Sequence, residues 1–121
     1  MIAIIAICGA IGSIARYELD QFITDRTRSE MPIGILVINV SGSLILGVFV
    51  GLQLRHGLSN NIELAVGTGL CGGFTTFSSL MYESTQLAQV GAYQRAMGIL
   101  SLNMIVGGIA AAIGLAVSGA L

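Results

Sequence analysis

Six residues with hydrogen-bonding side chains lie in stretches otherwise made for lipid: Asn39, Thr75, Thr76, Ser78, Ser79 and Asn103. No Asp or Glu falls in the middle of any of those stretches. The set therefore offers donors without competing carboxylates, and donors of that kind suit an anion. Phe74 and Phe77 flank the two threonines. An aromatic edge carries partial positive charge and can face an anion, although both rings serve equally well as packing. Asn39 and Asn103 each have two readings: an interhelical hydrogen bond that glues the bundle, or the wall of a narrow aqueous path. Arg16 ends the first apolar run, where an arginine either adds positive potential at a mouth or reaches to lipid headgroups. Catalytic chemistry has no footing. No Ser-His-Asp set, metal cluster or phosphate loop is present, and His56, the single histidine, falls in a predicted turn exposed to water. Cys8 and Cys71 each sit in apolar sequence without a second ligand nearby, which reads as buried, inert thiols.

The elements that hold these residues must be membrane helices. Only 9% of the 121 residues are charged and 55% are hydrophobic, with a mean hydropathy of +0.90, so too little polar surface exists to coat a water-soluble globule. Five arginines, no lysine and a net charge of -1 leave no basic patch for nucleic acid. Four spans are expected within a single membrane domain covering 1–121, at about 2–22, 32–54, 62–89 and 93–119. The first has no cationic leader region and no convincing cleavage site, so it reads as a retained helix. Asp25 to Glu30 form a short polar loop, and Pro32 suits the first turn of the second helix, where its missing amide costs nothing. Gln53 to Asn61 make a compact turn.

Two spans carry unusual patterns. Asn39, Ser43, Gly47 and Gly51 recur every four residues, so one small and polar stripe of the second helix meets protein and not lipid. In the third span, four glycines between Gly67 and Gly73 run directly into Thr75 and Thr76. That composition weakens helix in mid-membrane and predicts a break. Irregular backbone at membrane depth is tolerated only where protein, water or an ion satisfies it. The break is then either a kink filled by a neighbouring helix or an ion site. Its amide end would suit an anion and its carbonyl end a cation.

The strings GLCGGFTTFSSL (69–80), GILVINVSGSLILG (34–47) and GAIGSIARY (9–17) together resemble the Fluc (CrcB) fluoride channel family, and the likeness extends over all four spans. The resemblance implies passive, selective fluoride export through the prokaryotic inner or cytoplasmic membrane. It further implies an all-α fold whose third helix is broken, in a dual-topology dimer of antiparallel subunits, with two fluoride pores and one structural sodium ion between the chains. Carried over by motif, Gly72 and Thr75 would hold the sodium through backbone carbonyls. Asn39 matches the pore asparagine, Thr76, Phe77, Ser78 and Ser79 the aromatic and hydroxyl pathway, Arg16 the vestibule arginine, Asn103 a polar pore position and Glu83 the acid past the aromatic pair. Leu80 departs from the pattern, standing where the family usually has a second phenylalanine. Gly107 and Ala111 likewise stand where a serine and a threonine are usual.

Those departures and the arginines bear on assembly. With four spans, Arg16, Arg26, Arg28 and Arg95 lie on one side of the membrane and Arg55 on the other. A chain that inserts both ways should carry almost no such bias. The expectation is a heterodimer with a homologous subunit of opposite orientation, the homodimer being the alternative. Two other classes are weighed. A small proton-coupled multidrug exporter shares the size and helix count but needs an acid in its first helix, which has none before Glu18. A non-conducting assembly subunit would support transport only beside a partner.

Overall fold

The computed structural model describes residues 1–27, 33–57 and 59–120. Long apolar helices account for nearly all of it, as expected where lipid offers no partner to an unpaired amide or carbonyl. Helix α1 (Ile2–Thr27) and helix α2 (Ile33–His56) come first. The third span is composite: α3 (Asn60–Glu63), a π-helix (Leu64–Cys71), a single turn α4 (Gly72–Phe74), and then α5 (Ser78–Gln89). Helix α6 (Tyr93–Ser118) closes the bundle. Among the described residues, four segments are long and apolar enough to cross a membrane: Ile2–Thr27, Ile33–His56, Asn60–Gln89 and Tyr93–Ser118. The chain is thus a multi-pass membrane protein with a bent third span.

Connections are short and use glycine where the backbone demands it. Gly57 and Gly91 have φ of 68° and 83°, the left-handed conformation that stops a helix and that other residues adopt at a cost. Beyond α5, the Ala92 amide bonds the Leu87 carbonyl at 2.8 Å and the Gly91 amide bonds that of Ala88 at 3.0 Å. Ser59 caps α3 by accepting the Asn61 amide at 3.2 Å. The turn before the third span is tighter than expected, because α2 continues through His56 and α3 begins at Asn60. Pro32 and the second half of the loop from Asp25 to Glu30 lie outside the described residues, whereas Asp25, Arg26 and Thr27 still belong to α1.

Small residues set the packing. Helices α2 and α6 run against each other along most of their length. A side chain at Gly47 would meet the Ala111 backbone, and one at Gly114 the Leu44 carbonyl and the Val48 amide. Gly51 lies against Ser118. The Asn39–Ser43–Gly47–Gly51 stripe therefore faces α6, where Asn103, Gly107, Ala111 and Ser118 answer it. Helix α1 packs on the glycine-rich part of the third span, with Gly73 against the Gly9 backbone and Gly12 against Leu70 and Phe74. Buried apolar side chains are few and centre on Ile35, Leu80 and Ile99. Most large apolar residues point outward, as a lipid-embedded bundle requires.

Candidate functional site

The break is built from three residues. Thr75 leaves the helix in an extended conformation (φ -77°, ψ 157°). Its amide and its hydroxyl both bond the Cys71 carbonyl, at 2.9 Å each, which closes the first half of the span. Thr76 follows, 9% exposed, and its hydroxyl accepts the Ser79 amide at 3.1 Å, capping the start of α5. Ser78 lies 3.4 Å from the same hydroxyl. From Phe77 onward the helix resumes, with the Met81 amide on the Phe77 carbonyl at 2.9 Å.

Asn39 closes the hydrogen-bond account of the irregular backbone. Its Nδ2 donates to the Thr76 carbonyl at 3.0 Å and to Asn103 Oδ1 at 2.9 Å. Its Oδ1 accepts the Thr76 amide at 2.9 Å. Asn103 Nδ2 in turn donates to the Ile99 carbonyl at 2.8 Å. Both polar groups of the Thr76 peptide units, which lipid would strand, are thereby met by one side chain from α2. Ser13 on α1 supports the other flank, donating to the Gly73 carbonyl at 3.3 Å.

Beside this junction a cleft of about 330 Å³ opens between α2, the π-helix, the break and α6. Asn39, Gly72, Thr75, Thr76, Phe77, Leu80 and Asn103 all line it. So do Gly42, Ser43, Leu46, Gly67, Cys71 and Met104, which sequence reasoning did not single out as site residues. Ser43 was legible as part of the α2 stripe. Gly42 was not, since its importance lies in the Thr75 methyl group seated against it. None of the lining side chains is charged. The carbonyl end of α4 and the amide end of α5 converge here within a few residues, so the cleft meets a partial negative charge and a partial positive one side by side.

The remaining site residues lie around this centre. Phe77 stands at the rim, 72% exposed, while Leu80 is 4% exposed and forms the inner wall. Ser78 is exposed and Ser79 half-buried at the start of α5. Arg16 and Glu83 do not line the cleft. Arg16 is half-buried on α1, with its Nε enclosed and unpartnered among the described residues. Glu83 is half-buried one turn beyond Ser79. Gly107 faces Ser43 at ordinary contact distance and Ala111 faces Gly47, so both departures from the family pattern fall on the seam with α2. His56 is the last residue of α2, where its Nε2 lies 2.9 Å from the Ser118 carbonyl at the end of α6.

Comparison with known proteins follows the same lines. The profile of the CrcB-like protein, Camphor Resistance (CrcB) family matches residues 3–115. A relative named fluoride-specific ion channel FluC 2, from Cutibacterium acnes, is 42% identical over 110 residues, covering 90% of this chain and 89% of its own. Fluoride-specific ion channel FluC 1 of Leifsonia xyli subsp. xyli is 39% identical over 119 residues, covering 89% and 87%. The FluC of Azobacteroides pseudotrichonymphae is 37% identical over 114 residues, covering 93% and 91%.

Proposed function

The chain belongs to the CrcB-like protein family, and on that premise we propose that it is a subunit of a fluoride-selective ion channel that passes fluoride down its gradient. One observation carries the reading: a span broken at membrane depth opens on a cleft lined by amides, hydroxyls and an aromatic ring, with no charged side chain among them. Fluoride must shed water to enter such a space. Donors fixed in place replace part of its hydration shell, and the absence of a carboxylate spares it a repulsive barrier. The positive end of α5 adds to the attraction. An ion channel is not an enzyme, and nothing in the proposed passage makes or breaks a covalent bond.

The pathway in this reading runs past Asn39, Thr76, Phe77, Ser78, Ser79, Leu80 and Asn103, with Arg16 and Glu83 at its approaches. Since Asn39 spends both amide protons on Thr76 and Asn103, its contribution is to hold the break in shape, and Asn103 keeps an amide proton for the cleft. Sodium is the structural ion that fits beside it. Gly72 and Thr75 line the cleft at the carbonyl end of α4, and oxygen ligands from unwound backbone suit a hard cation. A bound sodium would lend positive potential to the anion path.

The cleft lies open along Phe77, so a second subunit of opposite orientation would complete it. Unequal placement of arginines supports a homologous partner over an identical one. The test is fluoride release, read by ion-selective electrode, from liposomes loaded with potassium fluoride. Fluoride without chloride is expected to leave vesicles that hold this chain with its homologous partner. Equal release of both ions overturns the selectivity, and fast release from the chain alone replaces the heterodimer with a homodimer.

A further inference from the structure

Ser43 is half-buried on α2, one turn after Asn39, and both residues line the cleft. Its hydroxyl makes no hydrogen bond among the described residues. A serine that only packs in a membrane helix turns back on its own backbone. Ser41 does so on the Val37 carbonyl at 2.7 Å, and Ser118 on the Leu115 carbonyl at 2.6 Å. Ser43 leaves the carbonyl one turn behind it alone. Across the seam stands Gly107, where a Cβ would come within 3.6 Å of Ser43 Oγ. Glycine at 107 thus leaves open the space beside the hydroxyl. One turn further along both helices the seam shuts, with Gly47 against the Ala111 backbone, so Ser43 and Gly107 form the last rung before closure.

We propose that the Ser43 hydroxyl is a further fluoride contact of this chain, given from α2 into the space that Gly107 leaves open. The inference rests on the channel reading and deepens it by adding a donor to the ion's path. Asn39 spends both amide protons on Thr76 and Asn103, which leaves Ser43 as the side chain of α2 in the cleft with a proton to give. It does not act alone. Asn103, one turn before Gly107, gives one amide proton to the Ile99 carbonyl and keeps the other for the cleft. Donors from two facing helices replace more of a hydration shell than either could, and each bond to the ion is charge-assisted, about twice as strong as a neutral one. Between ions, water entering the open cleft serves the same hydroxyl, so its lack of a protein partner costs little.

Moving the hydroxyl across the seam tests this. Ser43→Ala removes it, and Ser43→Ala combined with Gly107→Ser returns one from the opposite wall. Fluoride release is read from liposomes holding each variant in the assembly that conducts as wild type, together with melting temperatures in detergent. Losing one hydrogen bond to a charged group should slow release by Ser43→Ala roughly tenfold. Its melting temperature should hold, because the hydroxyl bonds nothing within the chain, and the double variant should regain most of the rate. Ser43→Ala vesicles that release fluoride as fast as wild type overturn the inference and leave the channel reading standing. A double variant as slow as Ser43→Ala also overturns it, since a hydroxyl in that space is then not what the ion needs. So does a slow Ser43→Ala with a lowered melting temperature, because packing accounts for the loss. Wild-type protein that releases no fluoride, alone or with a homologous subunit, removes both readings together.

Discussion

At the scale of single residues, Asn39 decides whether the break is affordable. Its amide meets the Thr76 carbonyl, the Thr76 amide and Asn103 at once. Asn39→Asp keeps an acceptor for the Thr76 amide but loses both donors, and it sets a carboxylate against the Thr76 carbonyl and Asn103 Oδ1. Fluoride release should fall steeply, by roughly tenfold or more, since an unpaired carboxylate is left facing two acceptors and the anion meets negative charge. Unchanged release would remove Asn39 from any role in the pathway. The bond to Asn103 is separable. A double-mutant cycle with Asn39→Ala and Asn103→Ala, read by unfolding in detergent, should give a coupling of about 0.6 and at most about 1.7 kcal/mol, the mean and the maximum of interhelical hydrogen bonds in membranes. A coupling near zero would mean that the two side chains do not support each other. Both asparagines were visible in the sequence as polar groups at membrane depth. That they meet each other was not, because spacing along a helix fixes the face of a residue and leaves its partner on another helix open.

At the scale of the helices, glycine has two meanings that composition cannot separate. Gly73 sits where a methyl group would strike the Gly9 backbone, and Gly12 where it would strike Leu70 and Phe74. Gly98 and Gly108 have nothing near them. Backbone cannot move aside as a flexible side chain can, so Gly73→Ala should destabilise the bundle by about 1 to 3 kcal/mol or force α1 away from the third span. Gly98→Ala should stay within about 0.5 kcal/mol of wild type. Thermal unfolding of both variants in detergent checks the contrast, and equal melting temperatures would show that α1 does not pack on the break as described. Within the single chain, Gly73 is thus contact surface between helices and Gly98 is not. The predicted break itself was legible from four glycines running into two threonines. The π-helix from Leu64 to Cys71 ahead of it was not, because wide and normal turns use the same residues and differ only in which carbonyl each amide reaches. Packing against α1 accompanies that choice here.

At the scale of the molecule, antiparallel helices fix which charges share an end. Asp20 of α1 packs on Gly34 near the start of α2, and His56 at the end of α2 meets Ser118 at the end of α6. Arg26 and Arg95 therefore share one end of the bundle, while Arg55 lies beside Gly119 at the other. Arg16 sits inside α1, three residues past the serine that bonds the break, so it counts little towards orientation. Arg28 lies outside the described residues, two positions after Arg26 in the sequence. Three arginines against one remain. Arginine-rich ends stay in the cytoplasm, so the start of α1 and the end of α6 should both face outward. Reporter domains fused after α6 test this directly, an alkaline phosphatase that works only outside the cytoplasm against a fluorescent protein that works only inside. Phosphatase activity alone is the expected result, and it would require any antiparallel partner to be a different chain. Comparable signals from both reporters would show that the chain inserts both ways. The open cleft beside the exposed Phe77 would then be completed by an identical subunit, and the arginine bias would be too weak to orient it.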